Sequence, residues 1–192
     1  TNGKLLQDEG KLKPVMEGSS SGFDKITYDP HSWLSVVNAK KYLNSIQDKL
    51  IQKYPDNERI YRKNKLKYVD KLTDIDAEYK EKFSKLDNKS FLVTHYAYAY
   101  IARDFGLTQY PLEGLTSMES PSLKTIKKAV DFAKTKNITT VFYEYGKPPK
   151  EAKTLSEELG GDIKPLASME FITKEQQDNN CLLYTSDAAD DS

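Results

Sequence analysis

The run Ile138-Thr139-Thr140-Val141-Phe142-Tyr143-Glu144-Tyr145 decides the fold. It is the best strand in the chain, carrying Val141, Phe142, Tyr143 and Tyr145 between two helical patterns. Upstream, Ser120-Pro121-Ser122 supplies a cap residue and a Pro near N1 of a helix. Leu123, Ile126, Ala129, Val130 and Ala133 give that helix one apolar face. Downstream, Pro148-Pro149 opens a second helix with Ala152, Leu155 and Leu159 as its apolar residues, closed by Gly160-Gly161. Asp162 to Leu166 then reads as another strand. Further upstream, Ser90 to Thr94 is a buried strand, Tyr96 to Phe105 a helix ended by Gly106, and Thr108 to Leu112 a short strand. Strands alternating with 10–15-residue helices predict a parallel α/β lobe.

The first half has a different texture. Gly18-Ser19-Ser20-Ser21-Gly22 reads as a flexible loop and Asp29-Pro30 as a turn. From Ser35 the spacing of Ala39, Tyr42, Leu43, Ile46 and Leu50 is helical, and Pro55 ends that helix. Asp56 or Asn57 is placed to cap the next one. That segment, Asn57 to Leu86, repeats Tyr61, Tyr68 and Ile75 at seven-residue intervals, with Leu72, Tyr79 and Leu86 between them. As a helix it is a rod of roughly 45 Å. It lacks the Leu/Ile seam of a coiled coil, so the reading is a long amphipathic helix packed along two lobes.

Composition narrows the function. The chain has 192 residues, with 29 Lys+Arg against 29 Asp+Glu, which is no basic footprint for nucleic acid. No apolar run approaches the roughly 18 residues of a membrane span. One Cys makes neither a disulfide framework nor a Cys-rich zinc site. Its 13 Tyr and 7 Phe help the 38% hydrophobic set fill a core. At helical spacing, Tyr96, Tyr98, Tyr100 and Phe105 read as core and not as a stacking surface. Residues 181–192, Cys-Leu-Leu-Tyr-Thr-Ser-Asp-Ala-Ala-Asp-Asp-Ser, resemble a translated sequencing adapter and are set aside from the fold. Without them the chain has no Cys and an excess of basic charge.

The chemistry-bearing residues are few. Ligands of open α/β sheets bind beyond the carboxyl ends of strands. His95 follows the strand ending at Thr94, Glu170 follows the last strand, and His31 follows the Asp29-Pro30 turn. Taken singly, each is ordinary for a surface residue. No Gly-x-Ser-x-Gly elbow, Walker loop, His-Glu-x-x-His or Gly-x-Gly-x-x-Gly is present. Two His and a carboxylate match a catalytic zinc site with an open position, for which Glu144 is the candidate acid/base. That leaves a zinc-dependent hydrolase, a metal receptor and a non-metal surface adhesin to be told apart.

Asp29-Pro30-His31-Ser32-Trp33-Leu34 resembles the Asp-Pro-His-x-Trp-Leu segment of the metal-binding solute-binding proteins of ABC transporters. Thr94-His95-Tyr96-Ala97-Tyr98-Ala99-Tyr100-Ile101-Ala102 is similar to their Thr/Ser-His-x-Ala-Phe-x-Tyr-Leu-Ala segment. Phe105-Gly106-Leu107 and the Ser120-Pro121-Ser122 helix start follow in that family's order. Met169-Glu170-Phe171-Ile172-Thr173 resembles the segment carrying its last ligand. Val36 stands where Pro is frequent, and the Ser/Gly run near Gly18–Gly22 stands where many zinc members have a His-rich loop.

The resemblance, over about residues 1–178, implies an α/β fold of two lobes joined by a long backbone helix, with a metal held between them. It implies His31, His95 and Glu170 as metal ligands, with a further His upstream of Thr1, in a closed site with no catalysis. Residues 1–34 would be the remnant of an N-terminal lobe and loop, 35–56 a helix, 57–88 the backbone helix and 89–180 the C-terminal lobe. Imidazole ligands favour Zn²⁺ over the harder Mn²⁺, and manganese-type relatives carry a carboxylate where His95 stands. The implied protein is a monomeric extracytoplasmic zinc receptor serving an ABC permease, a surface lipoprotein of a Gram-positive bacterium, touching the membrane only through a lipid anchor or that permease. Its zinc affinity should fall below the imidazole pKa of about 6.5.

Overall fold

The computed structural model describes residues 16–17, 27–113 and 121–170. The Gly18–Gly22 loop, Ser120, and everything after Glu170, including the 181–192 tail, lie outside the described residues. Two compact units emerge: the described parts of Thr1–Ser90 and Ala97–Gln109, and those of Phe91–Tyr96 and Tyr110–Ser192.

The first unit contains a two-residue antiparallel pair, β1 (Met16–Glu17) with β2 (Thr27–Tyr28). A 3₁₀ turn, Ser32–Leu34, then leads to α1 (Val36–Lys53). Ser35 caps α1 by accepting the Asn38 N–H at 3.0 Å. Pro55–Asn57 forms a second 3₁₀ turn, and α2 (Glu58–Ser84) follows. Asn57 occupies the cap position of α2, but its side chain makes no capping bond and reaches Tyr61 instead. Ion pairs at i,i+4 spacing lace α2 and its C-cap, among them Glu58–Arg62, Asp76–Lys80, Glu78–Lys82 and Glu81–Lys85. None of its side chains is fully buried, and Ile60 and Leu66 are more than half exposed. Its last turns pack Tyr79 and Phe83 onto Phe105 of α3 (Ala99–Phe105), with ring centroids 5.2–6.5 Å apart.

Helix α3 starts three residues later than the periodicity predicts. The chain bends over residues 94–96, and the N–H of Tyr98, at the cap position, is taken by Gln109 Oε1 at 3.1 Å. Tyr98 and Tyr100 are buried as expected of core aromatics, while Tyr96 and Phe105 are half-buried.

The four-stranded sheet runs in the order β4–β3–β5–β6, where β3 is Ser90–Val93, β4 Thr108–Pro111, β5 Thr140–Glu144 and β6 Asp162–Leu166. β3 pairs with β5 and β5 with β6, all parallel. The bonds Leu112 N–H to Val93 O and Glu113 N–H to Thr94 O continue the same direction on the other side of β3. The helices α4 (Leu123–Thr135) and α5 (Lys150–Leu159) form the crossovers into β5 and β6. Ser122 caps α4, so Pro121 lies before the cap and not at N1. Leu92, Leu112, Ala129, Ala133, Ile138, Val141, Ala152 and Leu155 form the buried core, with Tyr110 stacked on Phe132 at 4.5 Å beside it. Among the described residues β6 is an edge strand, where Pro165, lacking an N–H, is tolerated. No described helix is long and apolar enough to cross a membrane.

Two glycines join α5 to β6 for different reasons. Gly160 takes the left-handed conformation that ends α5 (φ +60°). At Gly161 a Cβ would meet the Thr139 carbonyl oxygen at 1.8 Å, a backbone atom held in the β5–β6 pairing. Gly161→Ala is therefore expected to cost about 3 kcal/mol. A melting temperature within a degree of wild type would show that the strand entry gives way freely.

The chain leaves β3 for β4 on one side and returns to β5 on the other. That reversal is a topological switch point, where the carboxyl ends of adjacent strands diverge and leave room for a ligand. His95 lies just past β3, Glu144 ends β5, and Ser168 and Glu170 lie just past β6.

Candidate metal centre

In the first unit the Asp29-Pro30-His31 segment folds on itself. Asp29 Oδ1 accepts the His31 backbone N–H at 2.9 Å and meets the ring Nδ1 of the same residue at 2.6 Å. Pro30 fixes the intervening turn, and Ser32 N–H donates to the Pro30 carbonyl at 2.8 Å. Tyr100 Oη donates to the Asp29 carbonyl at 3.1 Å, tying the turn to α3. Asp29 and His31 are both buried. Oδ2 of Asp29 has no hydrogen-bond partner among the described residues. Further along, Asn38 Nδ2 holds the Ser32 carbonyl at 3.1 Å, and Ser32 Oγ meets Tyr42 Oη at 2.5 Å. The imidazole thus comes off a turn clamped at its backbone, its ring and its flanks, with Trp33 tilted beside it at 5.4 Å.

The second unit repeats the pairing with residues far apart in sequence. His95 is buried, and its Nδ1 lies 3.1 Å from Glu144 Oε2. Thr94, which carries the chain into His95, donates its N–H to the Phe142 carbonyl at 3.0 Å. Glu144 Oε2 also accepts from Lys147 Nζ at 2.6 Å, and Oε1 accepts from Ser168 Oγ at 2.6 Å. Burial of Glu144 disfavours its charge, but hydrogen bonds from His95, Lys147 and Ser168 outweigh that and hold the carboxyl down at about 2. The folded value lies below the ordinary 4.5, so this stabilisation is complete above about pH 4.5 and is lost as pH falls toward 2.

A carboxylate oxygen is an acceptor, so each pair favours the tautomer with the proton on Nδ1, which leaves Nε2 as the donor atom to a metal. A carboxylate fixing the tautomer and rotation of an imidazole in this way is the arrangement found behind metal-ligating histidines.

Glu170 follows Ser168 and Met169. Met169 is in the left-handed region (φ 59°), unusual for a side chain with a Cβ. That turn brings the Glu170 N–H to 3.4 Å from Ser168 Oγ. A carboxylate oxygen of Glu170 and a ring nitrogen of His95 lie within 4.8 Å of one another. Tetrahedral zinc, at about 2.0–2.2 Å from each ligand, sets such a pair roughly 3.4 Å apart, within reach of a rotation of the exposed Glu170 side chain.

The structure therefore brings the predicted residues His95 and Glu170 together in the second unit and places His31 in a buried turn of the first. Glu144, a candidate acid/base from sequence, has both oxygens engaged in hydrogen bonds and serves His95. Ser168 carries no sequence signal beyond its position two residues before Glu170. Asp29 stands in the Asp-Pro-His motif, but its pairing with the His31 ring is seen only in the structure.

The sequence matches the family described as "ZnuA: Zinc-uptake complex component A periplasmic" over residues 3–182. It is 36% identical over 150 residues to the high-affinity zinc uptake system protein ZnuA of Bacillus subtilis, covering 78% of this chain and 47% of that protein. It is 35% identical over 148 residues to the zinc-binding lipoprotein AdcA of Streptococcus pneumoniae, covering 77% and 30%. The crystal structure of the metal-dependent lipoprotein YcdH from Bacillus subtilis superposes with a TM-score of 0.70 at 35% identity, over 84% of this chain and 62% of that one. The chain spans about half or less of the length of these curated relatives.

Proposed function

Given that the chain belongs to the ZnuA family of zinc-uptake components, we propose that it forms part of an extracytoplasmic receptor that binds Zn²⁺ and delivers it to the permease of an ABC importer. His31, His95 and Glu170 are the ligands it contributes. The observation that carries this reading is the repeated pair, Asp29–His31 and Glu144–His95, in which a buried carboxylate presets a buried imidazole. Two such imidazoles with one carboxylate suit borderline-soft Zn²⁺ better than Mn²⁺, whose preference is for oxygen. Zinc is here the cargo, and the protein's task is to hold and release it without turnover. The lipoprotein relative AdcA supports a place outside the cytoplasmic membrane, and we extend this to anchoring at the surface of a Gram-positive cell.

The test is competitive titration of the full-length protein with Zn²⁺ and Mn²⁺ at pH 7.5. Zinc is expected to bind tighter by at least about 100-fold, following donor softness and the divalent affinity order. Equal affinities, or tighter manganese, would move the protein to the manganese-binding members. Absence of binding by either ion would remove the receptor reading.

A further inference from the structure

The two ligands of the second unit are joined by a continuous chain of hydrogen bonds. His95 Nδ1 meets Glu144 Oε2 at 3.1 Å, Glu144 Oε1 accepts from Ser168 Oγ at 2.6 Å, and Ser168 Oγ accepts from the Glu170 N–H at 3.4 Å. His95, Glu144 and Ser168 are all at least nine-tenths buried, so the stretch from His95 to Ser168 runs out of contact with bulk water. Its members come from the carboxyl ends of three neighbouring strands, β3, β5 and β6. Lys147, on the turn after β5, lies 2.6 Å from Glu144 and supplies the countercharge that offsets burial of the carboxylate.

We propose that Glu144 and Ser168 are coupled positioning residues that set the His95 imidazole and the Glu170 segment against each other before the ion arrives. One carboxylate does both jobs, with one oxygen turned to the imidazole and the other to the hydroxyl that steadies the Glu170 backbone. Rotation of Glu144 in either direction breaks one of the two links. The half-site is thus assembled as a unit, and its zinc affinity depends on residues that do not touch the metal. This inference rests on the reading of His95 and Glu170 as ligands.

The test is a double-mutant cycle on the full-length protein, with Glu144→Gln, Ser168→Ala and the double variant, reading zinc affinity by chelator competition. Glu144→Gln is expected to weaken binding about 10–100-fold, and Ser168→Ala several-fold. In the Glu144→Gln background the further loss from Ser168→Ala should nearly vanish, since the hydroxyl acts through the carboxylate. The Co²⁺-loaded protein gives a readout that general destabilisation does not move. Its visible d–d bands should shift in each single variant, over and above the small drop in metal-free melting temperature that loss of the Ser168–Glu144 hydrogen bond brings. Should Glu144→Gln fail to fold, the Ser168→Ala affinity and Co²⁺ spectrum decide alone. Wild-type affinity and an unshifted spectrum in Ser168→Ala, or losses that multiply independently in the double variant, would overturn the coupling. A wild-type protein that binds no zinc, or a His95→Ala variant that binds it undiminished, would instead overturn the ligand reading and the coupling with it.

Discussion

Replacing His95 with Ala is expected to weaken zinc binding by at least about 100-fold. Zinc sites of four protein ligands bind with roughly 10–16 kcal/mol at neutral pH, which averages to about 3 kcal/mol per ligand, or two decades in affinity. The geometry at His95 adds to this. Its Nδ1 is engaged by Glu144 and its ring is buried, so the imidazole is already aimed before the ion arrives, and its loss removes a preset donor. The variant also deprives Glu144 of a donor, but Lys147 and Ser168 remain on that carboxylate, so the fold should survive with a lowered melting temperature. Calorimetry on wild type, His95→Ala and the edge-strand control Lys164→Ala checks the expectation. Lys164 is exposed on β6 and its variant should bind as wild type. Undiminished affinity in His95→Ala would place the ion elsewhere.

The largest effect on stability is expected at Leu92. It is fully buried in β3, a strand flanked on both sides, and packs in the cluster with Val141, Ala129 and Leu155. Truncation to Ala removes a methine and two methyl carbons from a site lined by buried side chains of sheet and helix, which collapse only partly into the space. About 3–4 kcal/mol should be lost, a large fraction of the 5–15 kcal/mol typical of a domain. At this size the loss lowers the melting temperature by roughly 10 °C. Leu123→Ala is the matched comparison, since Leu123 is 87% exposed at the start of α4 and should change stability by less than about 0.5 kcal/mol. Equal shifts in the two variants would contradict the assigned core.

Most of the fold is legible because its signals are local. The Ile138–Tyr145 run, the Pro148-Pro149 opening and the Gly160-Gly161 close are each read within a few residues, and the strand and helix between them follow. The later start of α3 is not legible, because the apolar residues at 96–98 continue the helical spacing across it, and the Gln109 side chain that takes the Tyr98 N–H comes from the following strand. The site divides along the same line. Asp29 and His31 are two residues apart, so their motif is visible in sequence. Glu144 lies 49 residues from His95 and Ser168 a further 24 on. Only the strand order β4–β3–β5–β6 brings those three together, and hydrophobic periodicity carries no information about strand order. Glu144 stands out in the sequence as a polar residue at a strand end, but the acid/base role this suggests is one its neighbours do not support.

The edge position of β6 has a kinetic consequence. A strand hydrogen-bonded on one side only opens at lower free energy than one held on both. None of its residues is fully buried, and Pro165 contributes no amide. In hydrogen exchange, the amides of β6 should therefore lose protection before those of β3 and β5. Glu170 and Ser168 hang from the part of this unit that frays first, and His95 and Glu144 from the part that frays last. On the proposed reading of His95 and Glu170 as ligands, an ion between them would have a fixed wall and a yielding one, and its escape rate would follow how often the yielding wall lets go.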